Sequence, residues 1–159
     1  MSGGDTAIEF RDAAVEDGDA SALLEAMRAE IAVIYPGIDL FAAYMPAGGP
    51  AELGPPGGAF IVGYRDGVAL CCGGVKRLDA ETCEIKRMYV VPQARGQGVA
   101  RILLEALEDR ARSLGYPVAR LDTGPKQLSA RHLYESAGYR PIHNFNDNPV
   151  ATFFGEKCL

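Results

Sequence analysis

The sequence has no apolar run that approaches the roughly eighteen residues needed to span a membrane, and its N-terminus lacks a signal-peptide pattern. Basic residues are not in excess either: the formal net charge is −5, which argues against a general nucleic-acid binder. The four cysteines form no CxxC pair and have no histidine nearby, so they predict small buried side chains in a reducing cytoplasm and no metal site. We therefore expect a cytoplasmic protein that binds neither nucleic acid nor membranes.

Size and composition indicate one ordinary globular domain. The chain has 159 residues, of which 48% are hydrophobic and 23% are charged, values typical of a folded protein with a substantial core. Internal repeats and low-complexity tracts are also lacking. We therefore expect residues 1–159 to form a single domain.

Hydrophobic periodicity and turn residues predict the order of helices and strands. A first helix should run from Asp17 or Asp19 to the stop at 35–37, followed by an irregular loop rich in proline and glycine at 47–58. A second helix should run from Val99 to a cap at Gly115, and a third should span 129–137. Strands are predicted at 8–11, 59–64, 68–78, 82–91, 118–123, 139–142 and 152–157. Hairpins followed by a strand–helix–strand unit indicate a mixed sheet with helices packed against it.

The segment 93–100, Gln-Ala-Arg-Gly-Gln-Gly-Val-Ala, joins a predicted strand to the second predicted helix. The first N–H groups of a helix have no partner within it, and together with the helix dipole they attract anions. Gly96 and Gly98 would let the backbone approach a ligand without an intervening Cβ atom. The pattern predicts a pyrophosphate cradle, although glycines in such a turn can also serve only to pack a helix on a strand.

Two common phosphate-binding motifs do not fit this segment. It lacks the GxxxxGK[ST] pattern of nucleoside-triphosphate loops, and it follows an antiparallel meander rather than the first strand of a dinucleotide fold. A second cluster lies downstream, with Gln127 followed by the run Ala-Arg-His-Leu-Tyr-Glu-Ser-Ala-Gly-Tyr at 130–139. Together with the strand 84–92 and the cradle, this cluster resembles the GCN5-related N-acetyltransferases (GNAT superfamily). The ending at 145–157 is similar to a poorly characterised bacterial branch of that superfamily.

The resemblance implies a single GNAT-like α/β domain with a mixed, mostly antiparallel sheet of about six or seven strands, splayed between strands 4 and 5 and flanked by about four helices. Acetyl-CoA would lie in the gap as co-substrate, held by a motif at 82–139, and no metal is implied. A strand edge offers unpaired groups to the pantetheine arm, and the N–H near Val90 would polarise the thioester carbonyl. Gln127 stands where the family often has asparagine, which is a departure. The residues implied to bind the cofactor are Met88, Tyr89, Val90, Arg95, Gly96, Gln97, Gly98, Val99, Ala100, Gln127 and Tyr134.

The resemblance also implies two catalytic residues. Glu84 matches a glutamate that serves as general base in several members, and burial would raise its pKa towards that role. Alternatively, Glu84 is a surface carboxylate that pairs with Lys86. Tyr134 matches a tyrosine that protonates or hydrogen-bonds the leaving thiolate in many members. Alternatively, it is an aromatic side chain packed on the sheet.

Other side chains leave two interpretations open. Arg95 would meet a phosphate or face solvent, and His132 should lie on the surface. His143 would line an acceptor pocket or lie in a loop without a role. Asp39 would hold a cationic amine or only form a turn, and an apolar wall would come from Phe41 and Tyr44.

These features predict an acetyl-CoA-dependent N-acetyltransferase that moves an acetyl group directly to an amine in a ternary complex. A small-molecule amine is the first choice of acceptor and a protein amine the second. The alternatives are an acyl-CoA sensor that binds without turnover and a scaffold in which Gly96 and Gly98 serve only packing. The sequence does not name the amine, the acyl length or the oligomeric state, although homodimers are common in the superfamily that it resembles.

Overall fold

A computed structural model describes residues 7–159 and contains one sheet of seven strands. The strands are β1 (Glu9–Asp12), β2 (Ala59–Arg65), β3 (Val68–Arg77), β4 (Thr82–Val90), β5 (Val118–Thr123), β6 (Arg140–Pro141) and β7 (Phe153–Cys158). Their order across the sheet is β1-β2-β3-β4-β5-β7-β6. Only β4 and β5 pair in parallel, so the sheet is mixed and mostly antiparallel, as predicted.

Three α-helices occur in residues 7–159: α1 (Gly18–Ile34), α2 (Val99–Ser113) and α3 (Leu128–Ser136). The prediction of about four helices was too high, because the remaining helical piece is one 3₁₀ turn at Pro92–Ala94. Leu114 caps the end of α2, and the next residue, Gly115, has a φ of +92° that favours glycine. Segment 35–58 contains neither helix nor strand, as its proline and glycine content predicted.

The sheet opens between β4 and β5. Their registered pairs are Thr82 with Val118, Cys83 with Ala119 and Glu84 with Arg120, and pairing stops there. Strand β4 nevertheless continues for six more residues to Val90, so this part of its edge has no strand partner on the β5 side. This is the predicted splay, and Glu84 lies at its vertex.

Two hydrophobic layers hold the opened sheet. Helix α2 contributes Leu103, Leu104 and Leu107, all buried, to the core on one face. Helix α1 contributes Leu23 and Leu24 to a second core on the other face, around Phe60 and Tyr89. The gap between β4 and β5 is thus bounded by packed helices. In residues 7–159 no helix combines the length and apolar character that crossing a membrane requires.

Candidate active site

The turn before α2 presents free backbone groups. Gly96 and Gly98 have φ angles of +76° and +78°, in the left-handed region that glycine tolerates best. No side chain among residues 7–159 caps the first turn of α2. A Cβ atom at Gly96 or Gly98 would meet nothing within 4 Å, so tight packing does not explain the glycines. The N-terminal amides of α2 remain available to an anion.

A cavity of about 740 Å³ adjoins this turn. The edge of β4 forms one side of it, α3 forms another, and residues of α1 complete it. Its lining includes Met88, Tyr89, Val90, Arg95, Gly96, Gly98, Val99, Ala100, Gln127 and Tyr134. An elongated ligand with an anionic group at the α2 terminus and an amide-bearing arm along β4 would fit this arrangement.

The backbone of β4 faces the gap at Val90. Val91 donates its N–H to the Leu70 carbonyl on β3 at 2.9 Å, and successive residues of a strand direct their backbone groups to opposite edges. The groups of Val90 therefore face the splay. The Val90 carbonyl accepts a hydrogen bond from Arg95 Nε at 2.9 Å, and the same guanidinium pairs with Glu30 of α1 at 2.6 Å.

A smaller cavity, of about 110 Å³, meets the larger one at Tyr134 and Met88, which line both. The Tyr134 hydroxyl lies 3.7 Å from Met88 Sδ and is a polar group at this junction, which Gln127 also lines. Burial, and secondarily the charge of Asp122, raises the pKa of Tyr134 well above its ordinary range. The hydroxyl therefore stays protonated at neutral pH and can donate a hydrogen bond.

Glu84 lines the smaller cavity and is only 1% exposed. Its Oε2 accepts a hydrogen bond from Asn146 Nδ2 at 3.1 Å and lies 3.7 Å from Lys86 Nζ, whereas its Oε1 has no partner in residues 7–159. Burial raises the pKa of Glu84 despite the opposing charge of Lys86, and the Asp122 carboxylate adds to the rise. The carboxylate thus has one free oxygen and an increased affinity for a proton.

A polar cluster from β5 and the loop between β6 and β7 supports Glu84. Asn146 Nδ2 bridges Glu84 and Asp122, with 2.7 Å to Asp122 Oδ2, and Asn148 Nδ2 donates to the same oxygen at 3.1 Å. The loop is shaped by its own asparagines: Asn148 Oδ1 accepts from the N–H groups of Val150 and Ala151. The turn chemistry of this loop therefore fixes the amides that position two carboxylates.

Comparison with known proteins identifies this arrangement. Residues 24–139 match the acetyltransferase (GNAT) family. The chain belongs to the GNAT family. By that membership it is an acyltransferase, as the motifs predicted. An IAA acetyltransferase of Azospirillum brasilense is 37% identical over 112 residues, which is 67% of this chain and 72% of that protein.

Solved GNAT structures share the whole fold. A proposed acyl-CoA N-acyltransferase from Klebsiella pneumoniae superposes with a TM-score of 0.77 and 29% identity, over 96% of this chain and 97% of that one. A GNAT family acetyltransferase from Elizabethkingia anophelis, determined with acetyl-CoA bound, gives a TM-score of 0.67 at 18% identity, over 96% and 98% of the two chains. At that identity the second likeness shows the fold alone.

The structure brings most of the predicted GNAT site residues together. All the predicted cofactor residues line the large cavity except Gln97, whose side chain bonds instead to Arg65 and the Gln93 carbonyl. The alternative of a surface carboxylate is wrong for Glu84, which is buried, although Lys86 is its neighbour as that alternative proposed. The alternative of an aromatic side chain packed in the fold is partly right for Tyr134, whose ring contacts that of Tyr139 edge-on at 6.2 Å.

Other predicted acceptor residues lie elsewhere. His143 is exposed and does not line the smaller cavity, and His132 is exposed, as expected. Asp39 accepts two hydrogen bonds from Arg28, at 2.9 and 2.8 Å, outside the cavity, so the interpretation as an amine site was wrong. The expected apolar wall of Phe41 and Tyr44 was also wrong, since the cavity is lined instead by Ile31, Ile38, Leu40, Met45 and Val150.

Sequence reasoning missed the remaining polar residues of the site. Asp122 was identified only as part of a predicted strand. The alternation of side chains along that strand does not show which other strand will pair with it. Asn146 and Asn148 stand in a run of asparagine and aspartate that indicates turns, and that run was the one available signal. Arg87 follows Lys86 in a predicted strand, where neighbouring side chains are expected on opposite faces. The sequence therefore did not indicate that both residues line the same cavity.

Proposed function

We propose that the chain acts as one domain and transfers an acetyl group from acetyl-CoA directly to the primary amine of a small molecule. One observation carries this proposal: a cofactor-sized cavity and a small polar cavity meet at Tyr134 and Met88, with the buried carboxylate of Glu84 lining the small one. A donor in the first cavity and an amine in the second would be adjacent, as a ternary complex requires.

The residues present fit acetyl-CoA. The backbone amides from Gly96 to Ala100 would hold its diphosphate, whereas the Arg95 amide already donates to the Pro92 carbonyl at 3.3 Å. The free edge at Met88, Tyr89 and Val90 would pair with its pantetheine arm. Gln127 would contact the same arm from the start of α3. When bound, acetyl-CoA supplies a thioester, whose acyl carbon is open to attack by an amine. The acetyl-CoA complex of the related GNAT fold from E. anophelis supports this choice of donor.

Glu84 is proposed as the general base. An amine is mostly protonated at neutral pH and must lose a proton before its nitrogen can attack. Because its pKa is raised, Glu84 is better matched to accept that proton than an exposed glutamate, and its Oε1 is free to do so.

A covalent enzyme intermediate is not needed. Neither cavity is lined by a cysteine of the described chain, and burial raises the pKa of Cys71 to about 11. A thiol in that state is a poor nucleophile. Direct attack by the deprotonated amine forms the C–N bond and breaks the C–S bond in one ternary complex.

Tyr134 is proposed to stabilise the leaving sulfur. A free thiol has a pKa near 8.5, below the value near 10 of an ordinary tyrosine, and the pKa of Tyr134 is raised further, so full proton transfer from Tyr134 to a thiolate is unfavourable. A hydrogen bond from the hydroxyl to the developing charge is favourable and needs only the protonated form, which the raised pKa maintains. The departing thiolate then takes a proton that the amine releases.

A thiol-release assay over a panel of amines, preceded by thermal-shift titration with acetyl-CoA, tests the proposal. Thermal stabilisation by acetyl-CoA and amine-dependent thiol release are expected in the natural protein. Glu84→Gln should lower kcat by about 100-fold or more, which is typical of removing a general base, while the acetyl-CoA shift is retained. Glu108→Gln is a matched control, because Glu108 is also buried, 4% exposed, but lies outside both cavities.

Three outcomes would contradict parts of the proposal. Stabilisation by acetyl-CoA with no thiol release over the whole panel would instead support the sensor. Release that occurs only with peptides carrying a free amine would support a protein acceptor. Equal rates for Glu84→Gln and Glu108→Gln would remove Glu84 from the chemistry and leave the enzyme class intact.

A further inference from the structure

Arg87 is a buried cation without an anionic partner. Its residue is only 8% exposed, its Nε has no hydrogen-bond partner, and its Nη2 reaches only the Leu40 carbonyl, at 3.4 Å. Among residues 7–159 no carboxylate lies within the 4.0 Å of an ion pair with it. A buried charge is costly unless it is paired, so this guanidinium has an unmet need for an anion.

The backbone at Arg87 is held in an unusual conformation. Its φ is +60°, and it lies in a bulge where Arg87 and Met88 face the single residue Gly73 of β3. A non-glycine residue in this region is strained by roughly 1–2 kcal/mol and persists only where surrounding structure holds it. Such outliers concentrate at functional sites.

The bulge brings two successive cations to one place. Neighbours on a regular strand point to opposite faces, yet Lys86 and Arg87 both extend beneath the loop at Gly48. A Cβ atom at Gly48 would lie 2.8 Å from Arg87 Nε and 3.0 Å from Lys86 Cε. Both residues line the small cavity next to Glu84.

The charges of this cavity are distributed unevenly. Lys86 already has Glu84 as its partner, and Asp122 accepts hydrogen bonds from Asn146 and Asn148. Arg87 is therefore the cation that forms no direct ion pair with a lining carboxylate of residues 7–159, although the charges of Glu84 and Asp122 act on it from further away. The acidic pair suits an ammonium group of a ligand, and the guanidinium suits a carboxylate, which it binds through two parallel hydrogen bonds.

We propose that the acceptor is a small amino acid, whose carboxylate binds Arg87 while its amine faces Glu84. This deepens the proposed function and rests on it. An engineered cavity of about 150 Å³ holds benzene, so the present one suits about five heavy atoms. Its side walls, from Ile31, Ile38, Leu40 and Met45, are apolar and favour an uncharged side chain.

Matched substrates test this choice of acceptor. Glycine and alanine, the two smallest amino acids, are each compared with their amides and with methylamine and ethylamine, the amines that lack the carboxylate, at saturating acetyl-CoA, by thiol release. Each acid should exceed its amide in kcat/KM by at least tenfold, mainly through KM, because the amide leaves Arg87 unpaired. This comparison uses only the natural protein and so does not depend on the folding of a variant.

Variants then assign the preference to Arg87. Arg87→Met should lower kcat/KM for the acids at least tenfold more than for the amides, and Arg87→Lys should retain part of the preference. Arg28→Met is the matched control, since both guanidiniums lie over the Phe41 ring, at 4.8 and 5.5 Å, but Arg28 does not line the cavity. It should keep the full preference for acids.

A binding measurement separates failure of this proposal from failure of the proposed function. Thermal shifts by the same acids and amides are recorded with coenzyme A present, which allows no turnover. Equal rates and equal shifts for acids and amides would overturn the carboxylate site while leaving the enzyme intact. Stabilisation by acids in the natural protein, lost in Arg87→Met, with no thiol release, would support the site and overturn the function.

Discussion

Substitution of Gly98 by alanine tests the pyrophosphate cradle most directly. Gly98 precedes α2 with a φ of +78°, and a Cβ atom there would meet nothing within 4 Å. Steric overlap is therefore absent, and the cost is that of placing an L-residue in the left-handed region, about 1 kcal/mol net. For a chain of 159 residues this corresponds to a fall in Tm of about 3 °C.

The effect on the cofactor should be larger than the effect on the free protein. The new methyl group would enter the open space beside the N-terminal amides of α2. Acetyl-CoA at about 100 times its Kd stabilises the natural protein by about 2.7 kcal/mol, or about 8 °C. A tenfold weaker Kd in Gly98→Ala removes about 1.4 kcal/mol of this, so the shift should fall to about 4 °C.

Gly115→Ala provides the matched control. Gly115 follows the other end of α2, has a φ of +92°, and a Cβ atom there would also meet nothing within 4 Å. Its stability cost should therefore be similar, whereas its acetyl-CoA shift should equal that of the natural protein. An acetyl-CoA shift as large as that of the natural protein in both variants would refute a cradle at Gly98, and a shift lost in both would mean that α2 itself had been damaged.

Three further outcomes are expected. Because burial raises the pKa of Glu84, kcat/KM should rise with pH over a pH range higher than that in which an ordinary glutamate titrates. The pH–rate profile of Glu84→Gln should lack this rise. The raised pKa also means that the stabilising contribution of Glu84 is complete below its ordinary value of 4.5 and is lost as pH rises through the folded-state pKa. The Tm of Glu84→Gln, relative to that of the natural protein, should therefore increase as the pH rises above the ordinary value of 4.5, and a constant difference would contradict the shift. Tyr134→Phe should lower kcat by about tenfold or more, whereas Tyr139→Phe, which loses a 2.8 Å hydrogen bond to Glu108 away from both cavities, should cost about 1 kcal/mol in urea unfolding and keep the rate.

The order of helices and strands was predictable because short segments of sequence determine it. The stop at 35–37 and the cap at Gly115 are short-range signals, and so is the Asp-Gly dipeptide at 66–67, which is typical of a hairpin turn such as that between β2 and β3. The observed boundaries differ from the predicted ones by one or two residues. The last strands were less certain: β6 spans only Arg140–Pro141, where four residues were expected. The extra helix in the prediction came from the family resemblance and had no periodic pattern behind it.

The two halves of the candidate site differ in how far sequence reasoning reached. The donor half lies on contiguous motifs, since one turn and one strand supply most of it, and local patterns therefore located it. The acceptor half is assembled from segments far apart in the chain: Asn146 meets Glu84 across 62 positions and Asp122 across 24. Such contacts depend on strand order, which no short window of sequence records.

The vertex of the splay explains why a carboxylate can be buried there. Up to Glu84 the backbone of β4 is paired on both sides, to β3 and to β5, so its amide groups are satisfied without water. Immediately beyond it the strands part, and the Glu84 side chain lines a small cavity where Asn146 and Lys86 partly compensate its charge. Its neighbours Cys83 and Ile85 both belong to the packed core, so Glu84 is the one carboxylate that β4 places at this point. Incomplete compensation at this point is what leaves Oε1 free, and a more stable site, with both oxygens bonded, would be a weaker base.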